Sequence, residues 1–156
     1  IIRIPVGHTF VISSCKQHNA ILGMEESGHM VIPSYFLFDD AMLIPLKVAE
    51  IITKEERKLS DTVEELPTYP FKEITFKCPD EKKFKVVERL KEKFKKEYER
   101  VETIDGVKVF LDKGWILVRA SNTSPKVRLY VEAEDERTLE ELENNFSRKL
   151  MEEIES

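Results

Sequence analysis

The chain has 156 residues, enough for one domain or two small ones, and 41% of them are hydrophobic, enough for a real core. A net charge of −5, with 35% charged residues, predicts a heavily solvated surface and argues against a general nucleic-acid footprint. The two cysteines, Cys15 and Cys78, lie far apart with no second ligand at metal spacing; this argues against a disulfide framework or zinc site and favours reduced thiols in the cytoplasm. No apolar run approaches the ~20 residues of a membrane span.

Along the chain, Ile1–Pro5 is strand-like and carries no signal-peptide pattern, so the sequence reads as a fragment that begins inside an element. Thr9–His18 predicts a short helix, with His18 at its end as a capping or surface residue. Ala20–Met24 and Met30–Ile32 predict two strands around the polar loop Glu25–His29. Asp39 is placed to cap a helix over Asp40–Thr53 whose apolar residues cover most of its circumference and call for burial against a sheet. Pro45 inside it should kink the helix or delay its start. A short helix near Ser60–Leu66 leads to Pro67-Thr68-Tyr69-Pro70, where two prolines favour extended chain and mark a hinge between blocks 1–66 and 71–156.

The second block starts with alternating Ile74, Phe76 and Cys78, a half-buried strand. Asp80 is placed to cap a long helix with Phe84, Val87, Leu90, Phe94 and Tyr98 on one face; its Lys91–Lys96 stretch, interleaved with Glu, reads as an exposed face with ion pairs. Strands follow at 101–104, 107–111, from Trp115 and over 126–132, with turns at Asp105-Gly106 and Lys113-Gly114. Asp135 opens a final helix striped by Leu139, Leu142, Phe146, Leu150 and Ile154. The order predicts an α+β unit with an antiparallel sheet and two helices on one of its faces.

Two loops carry the candidate chemistry. Arg119-Ala120-Ser121-Asn122-Thr123-Ser124-Pro125 crowds a guanidinium, hydroxyls and an amide between two strands. Such a loop serves either as a phosphate clamp or as a polar hairpin that satisfies its own backbone. Gly23-Met24-Glu25-Glu26-Ser27-Gly28-His29 is either a sugar-hydroxyl site or a strand-to-strand turn whose glycines suit positive φ. Together with Val6-Gly7-His8-Thr9 and Asp105-Gly106-Val107-Lys108, the two loops resemble segments of the alpha-D-phosphohexomutases, over essentially the whole chain and in the expected order. The phosphomannomutase/phosphoglucomutase branch looks closest.

The resemblance implies that block 1–66 is the latter part of a mixed α/β/α third domain and that block 71–156 is a small, TATA-binding-protein-like fourth domain. It implies that Glu25 and Ser27 contact sugar hydroxyls, that Arg119, Ser121, Asn122 and Thr123 hold the phosphate, and that His8 and His29 lie near the reacting end as possible acids or bases. The activity implied is interconversion of hexose 1- and 6-phosphates through a phosphoserine and a hexose 1,6-bisphosphate. Magnesium would be held by an Asp-x-Asp-x-Asp loop. Neither that loop nor a Ser-His-Asn-Pro segment is present, so no metal ligand is expected in this chain, and the chain is expected to be inactive without the enzyme's remaining N-terminal domains. Other readings are a non-catalytic sugar-phosphate or anion-binding module, a protein-interaction domain built on the exposed helices, and part of a phosphoglucosamine mutase. Asp39 and Asp40 complement a helix dipole without needing an ion. Lys126 and Arg128 add positive charge near the clamp, as alternating exposed strand positions also would.

Overall fold

The computed structural model describes residues 1–156. The chain divides into two compact units, Ile1–Pro67 and Thr68–Ser156.

In the first unit, helix α1 (His8–His18) starts after Gly7 and ends at Asn19 in the left-handed conformation, where the Ala20 N–H closes onto the Cys15 carbonyl. A two-stranded antiparallel pair follows, β1 (Gly23–Met24) and β2 (Met30–Val31), shorter than the two strands anticipated. Val11, Cys15 and Val31 form its small core, with Ile4, Ile12 and Ala20 packed around them.

Helices α2 (Leu43–Glu55) and α3 (Leu59–Glu64) complete the unit. One expectation is met here and two change. Pro45 delays the start of α2 to Leu43, which puts the proline in the first turn, where its missing N–H costs nothing. Asp39 does not cap α2; no side chain does. Nor does α2 find the burial its apolar residues call for: Leu46 and Ile51 are exposed and no residue of the helix is buried, because the unit's only sheet is the two-residue β1–β2 pair.

The second unit is a five-stranded antiparallel sheet in the order β3-β7-β6-β5-β4, with β3 (Phe71–Lys77), β4 (Val101–Glu102), β5 (Val107–Leu111), β6 (Gly114–Ala120) and β7 (Lys126–Ala133). Helices α4 (Asp80–Glu97) and α5 (Glu136–Glu155) cover one face. Alternation fixes that face: Val107, Val109, Ile116, Val118, Val127, Leu129 and Val131 are buried with Leu90, Phe94, Phe146 and Leu150 of the helices. The opposite face therefore takes Arg119, Leu117 and Trp115 of β6 and Arg128, Tyr130 and Glu132 of β7. Asp135 caps α5 as its sequence predicts, accepting from the Thr138 N–H at 2.8 Å.

The start of α4 differs from expectation. Pro79 occupies the cap position, its carbonyl accepting from the Lys82 and Lys83 N–H groups, and Asp80 is already helical. The buried stripe is Lys83, Val86, Val87, Leu90 and Phe94, while Phe84 points outward and is 53% exposed. A lysine has taken the inward position that periodicity assigned to a phenylalanine.

Candidate functional site

In the first unit the loop between β1 and β2 is a tight turn. The Gly28 N–H bonds the Glu25 carbonyl at 3.0 Å, the Glu25 N–H bonds the His29 carbonyl at 2.9 Å, and Gly28 takes φ 91°, a conformation that favours glycine. The turn brings Glu25 against the start of α1, where its Oε1 accepts from the Gly7 N–H at 2.7 Å and complements the helix dipole. The rings of His8 and His29 lie 5.8 Å apart, and Ser27 stands exposed at the tip of the turn. Asp39 spans the site: Oδ1 accepts from the Met30 N–H at 3.0 Å and Oδ2 meets His29 Nδ1 at 2.5 Å.

This pairing sets the electrostatics. The hydrogen bond to Asp39, followed by the charge of Asp39 itself, raises the His29 pKa above its ordinary value. The hydrogen bond from His29 lowers that of Asp39. An aspartate on Nδ1 leaves Nε2 as the nitrogen able to give or take a proton. His8, Glu25 and His29 thus come together in one cluster, joined by Asp39. The helix-start signal at Asp39-Asp40 concealed that role, since its partner lies ten residues upstream across a hairpin.

In the second unit Arg119 is the last polar residue of β6 before the donor-rich loop. It is only 9% exposed, and its Nη2 lies 3.1 Å from Asp105 Oδ2. The register sets it directly opposite Arg128 of β7. Like charges facing each other across a sheet repel. Arg128 reaches sideways to the Tyr130 hydroxyl at 3.1 Å and to Glu73 at 3.3 Å. The Nε atoms of both arginines are buried with no hydrogen-bond partner. Two guanidinium groups on facing strands, each with an orphaned buried donor, make this the candidate anion site of the unit.

The loop beyond them is pinned at its base. The Ser121 N–H bonds the Lys126 carbonyl at 3.0 Å, the Lys126 N–H bonds the Ser124 carbonyl at 2.8 Å, and Ser121 is buried. Asn122 and Thr123 form the exposed tip. Gly106 supports the arginine from the β4–β5 turn. Its φ is 80°, and a Cβ there would lie 2.1 Å from the Val118 carbonyl and 2.9 Å from the Arg119 Cβ. The sequence offers Arg128 only as added charge near the clamp and Asp105 only as part of a resembling segment, neither as a site residue. Strand alternation carried the signal for Arg128, since it and Arg119 both flank core valines and must share the outer face.

No group of three or more His, Cys, Asp or Glu side chains converges as a metal ion requires, so the residues present do not fit magnesium. No helix is long and apolar enough to cross a membrane.

Comparison with known proteins assigns both units. Residues 1–69 match the model of the phosphoglucomutase/phosphomannomutase alpha/beta/alpha domain III, and residues 73–149 that of the phosphoglucomutase/phosphomannomutase C-terminal domain. The chain belongs to the alpha-D-phosphohexomutase family. A probable phosphoglucosamine mutase of Methanopyrus kandleri is 34% identical over 94% of this chain and 32% of its own length. A phosphoglucomutase/phosphomannomutase of Thermococcus kodakarensis is 34% identical over 87% and 30%. The crystal structure of a phosphoglucomutase/phosphomannomutase family protein from Burkholderia thailandensis superimposes with a TM-score of 0.81 at 27% identity, over 96% of this chain and 32% of that one. The chain therefore spans about a third of the length of the relatives it matches.

Proposed function

We propose that this chain is the sugar- and phosphate-recognition part of a phosphohexomutase that interconverts hexose 1- and 6-phosphates of the glucose and mannose type. The observation that carries the reading is the Arg119–Arg128 pair, two partly buried guanidinium groups with unpartnered Nε atoms at the root of a hydroxyl-rich loop. A phosphate adds acceptor oxygens to those that Asp105 and Glu73 already offer this pair. Arg119 supplies the planar fork, and Ser121, Asn122 and Thr123 close around the remaining oxygens. This clamp holds the phosphate that is not being transferred and so fixes the substrate's orientation.

Glu25 and Ser27 take the sugar hydroxyls. Glu25 already uses Oε1 on Gly7, which orients the carboxylate and leaves Oε2 for the ligand. His29, with Asp39 on Nδ1, holds or moves a proton at Nε2, and His8 beside it is a second donor. The phosphoserine, the hexose 1,6-bisphosphate intermediate and the family's magnesium belong, in this reading, to the intact enzyme. Phosphoryl transfer relies mainly on positioning and charge stabilisation, and positioning is what these residues contribute. The segment Pro67–Pro70 serves as the hinge between the two recognition units.

A second reading, part of a phosphoglucosamine mutase, is favoured by the names of relatives such as those from Methanopyrus kandleri and Methanosarcina acetivorans. Titrating the chain with glucose 1-phosphate, glucosamine 1-phosphate and inorganic phosphate, with Arg119→Ala alongside, tests both. Unchanged binding in Arg119→Ala refutes the clamp; a marked preference for the amino sugar selects the second reading.

A further inference from the structure

The fold buries three polar or charged residues. Two of them, Arg119 and Ser121, belong to the phosphate loop and its root; the third is Lys83, 3% exposed. Its position breaks several local rules at once. It lies at the N-terminal end of α4, where the helix dipole opposes a cation, and burial removes the water an ammonium group prefers. Its neighbours Lys82 and Lys85 extend into solvent, and Phe84 next door stays outside while the lysine goes in. Such conflicts with local preference mark a position held for another purpose.

What Lys83 holds is the loop. Its Nζ donates to the Ser124 carbonyl at 3.1 Å and to Asp80 Oδ1 at 2.6 Å. The next carbonyl, that of Pro125, accepts from the Cys78 N–H at 3.1 Å. The trailing side of the loop is thus fastened to the β3–α4 junction by two successive carbonyls. The Ser124–Pro125 peptide carries no N–H, so facing it inward sacrifices no donor. It also commits a carbonyl oxygen, which would repel a phosphate, to Lys83 and to the Lys126 N–H.

We infer that Lys83 is a positioning residue for phosphate recognition: its buried ammonium holds the Ser124 carbonyl inward and so fixes the loop that presents Ser121, Asn122 and Thr123. The inference rests on the clamp reading above. The test compares amide hydrogen exchange and inorganic-phosphate titration, followed by NMR, in the wild-type chain, Lys83→Met, Lys83→Gln and Asp80→Asn. In Lys83→Met the Ser121 and Lys126 amides should exchange about tenfold faster while those of Val118 and Leu129 do not change, and phosphate should bind about tenfold more weakly. Asp80→Asn should leave both readings within about twofold of wild type, because the link to Ser124 survives. Wild-type loop exchange and affinity in a folded Lys83→Met overturn the inference, as does an equal loss in Asp80→Asn. If Lys83→Met does not fold, Lys83→Gln decides by the same two readings. Arg119→Ala separates the levels: undiminished binding there overturns the clamp and this inference with it. Binding lost in Arg119→Ala but kept in Lys83→Met overturns only the role of Lys83.

Discussion

If Arg119 is held for phosphate rather than for the fold, replacing it should make the second unit more stable and unable to respond to phosphate. The informative change is Arg119→Met, which keeps an unbranched apolar stem and removes the guanidinium. Three contributions follow from the structure. Deleting a buried Nε without a partner recovers about 1–3 kcal/mol. Removing a cation placed directly opposite Arg128 recovers about 0.2–1 kcal/mol. Against these stands the contact with Asp105, about 1 kcal/mol, and the Asp105 side chain is 27% exposed and keeps access to water. The balance favours the variant by about 1 kcal/mol, or roughly 4–8 °C in Tm for a unit of this size. Phosphate should reverse the order. At about one hundred times its Kd a ligand stabilises the protein that binds it by about 2.7 kcal/mol, and only the wild type should gain this. The assay is a pair of thermal melts, in phosphate-free buffer and in excess phosphate. A variant that melts well below wild type without phosphate would show the guanidinium to be a structural strut. A variant that still gains stability from phosphate would show the ligand to bind elsewhere. Either result refutes the reasoning.

Other consequences can be checked separately. In Asp39→Asn the His29 pKa should fall back toward about 6.5, read by following its ring protons in an NMR pH titration. The linkage sign follows. Because folding raises the His29 pKa, the pair's contribution is complete below the unfolded histidine value and is lost as pH rises through the folded one. Because folding lowers the Asp39 pKa, the contribution is also lost as pH falls through the folded aspartate value. Stability of the wild type should therefore decline relative to Asp39→Asn on both sides of that window. Gly106→Ala should cost about 2–4 kcal/mol in urea unfolding, since it combines a strained φ with a Cβ 2.1 Å from the Val118 carbonyl, and should weaken phosphate binding by displacing Arg119. Phe146→Ala, which removes a ring 1% exposed and in edge contact with Phe94, should cost about 3–5 kcal/mol in the same assay.

The parts of the fold that were legible in the sequence are those whose information is local. Asp135 caps α5 because an aspartate three residues before Thr138 can reach its N–H whatever lies elsewhere, and the stripe from Leu139 to Ile154 follows from helical period alone. The alternating valines of β5, β6 and β7 fix which face is core, and that choice sends Arg119 and Arg128 to the other. Legibility failed where two local solutions were equally good and a distant partner decided between them. Phe84 and Lys83 both continue the spacing of Val87 and Leu90; the Ser124 carbonyl, forty-one residues away, selects the lysine. Asp39 has the chemistry of a helix cap, but His29 claims it, and Pro45 moves the helix start beyond its reach.

The two failures share a physical form with Arg119, which was legible. At Lys83 and Arg119 a charge is buried against its solvation preference, and at Arg119 also against its cross-strand neighbour. At Asp39 a carboxylate gives up a helix terminus to hold an imidazole. The two buried charges cost stability in the isolated chain, and all three groups stand at or behind one of the two loops on which the proposed sugar-phosphate chemistry depends. If those costs are retained for recognition, substitutions that relieve them should stabilise the fold and weaken binding together. Arg119→Met is the sharpest instance, because one assay reads both effects.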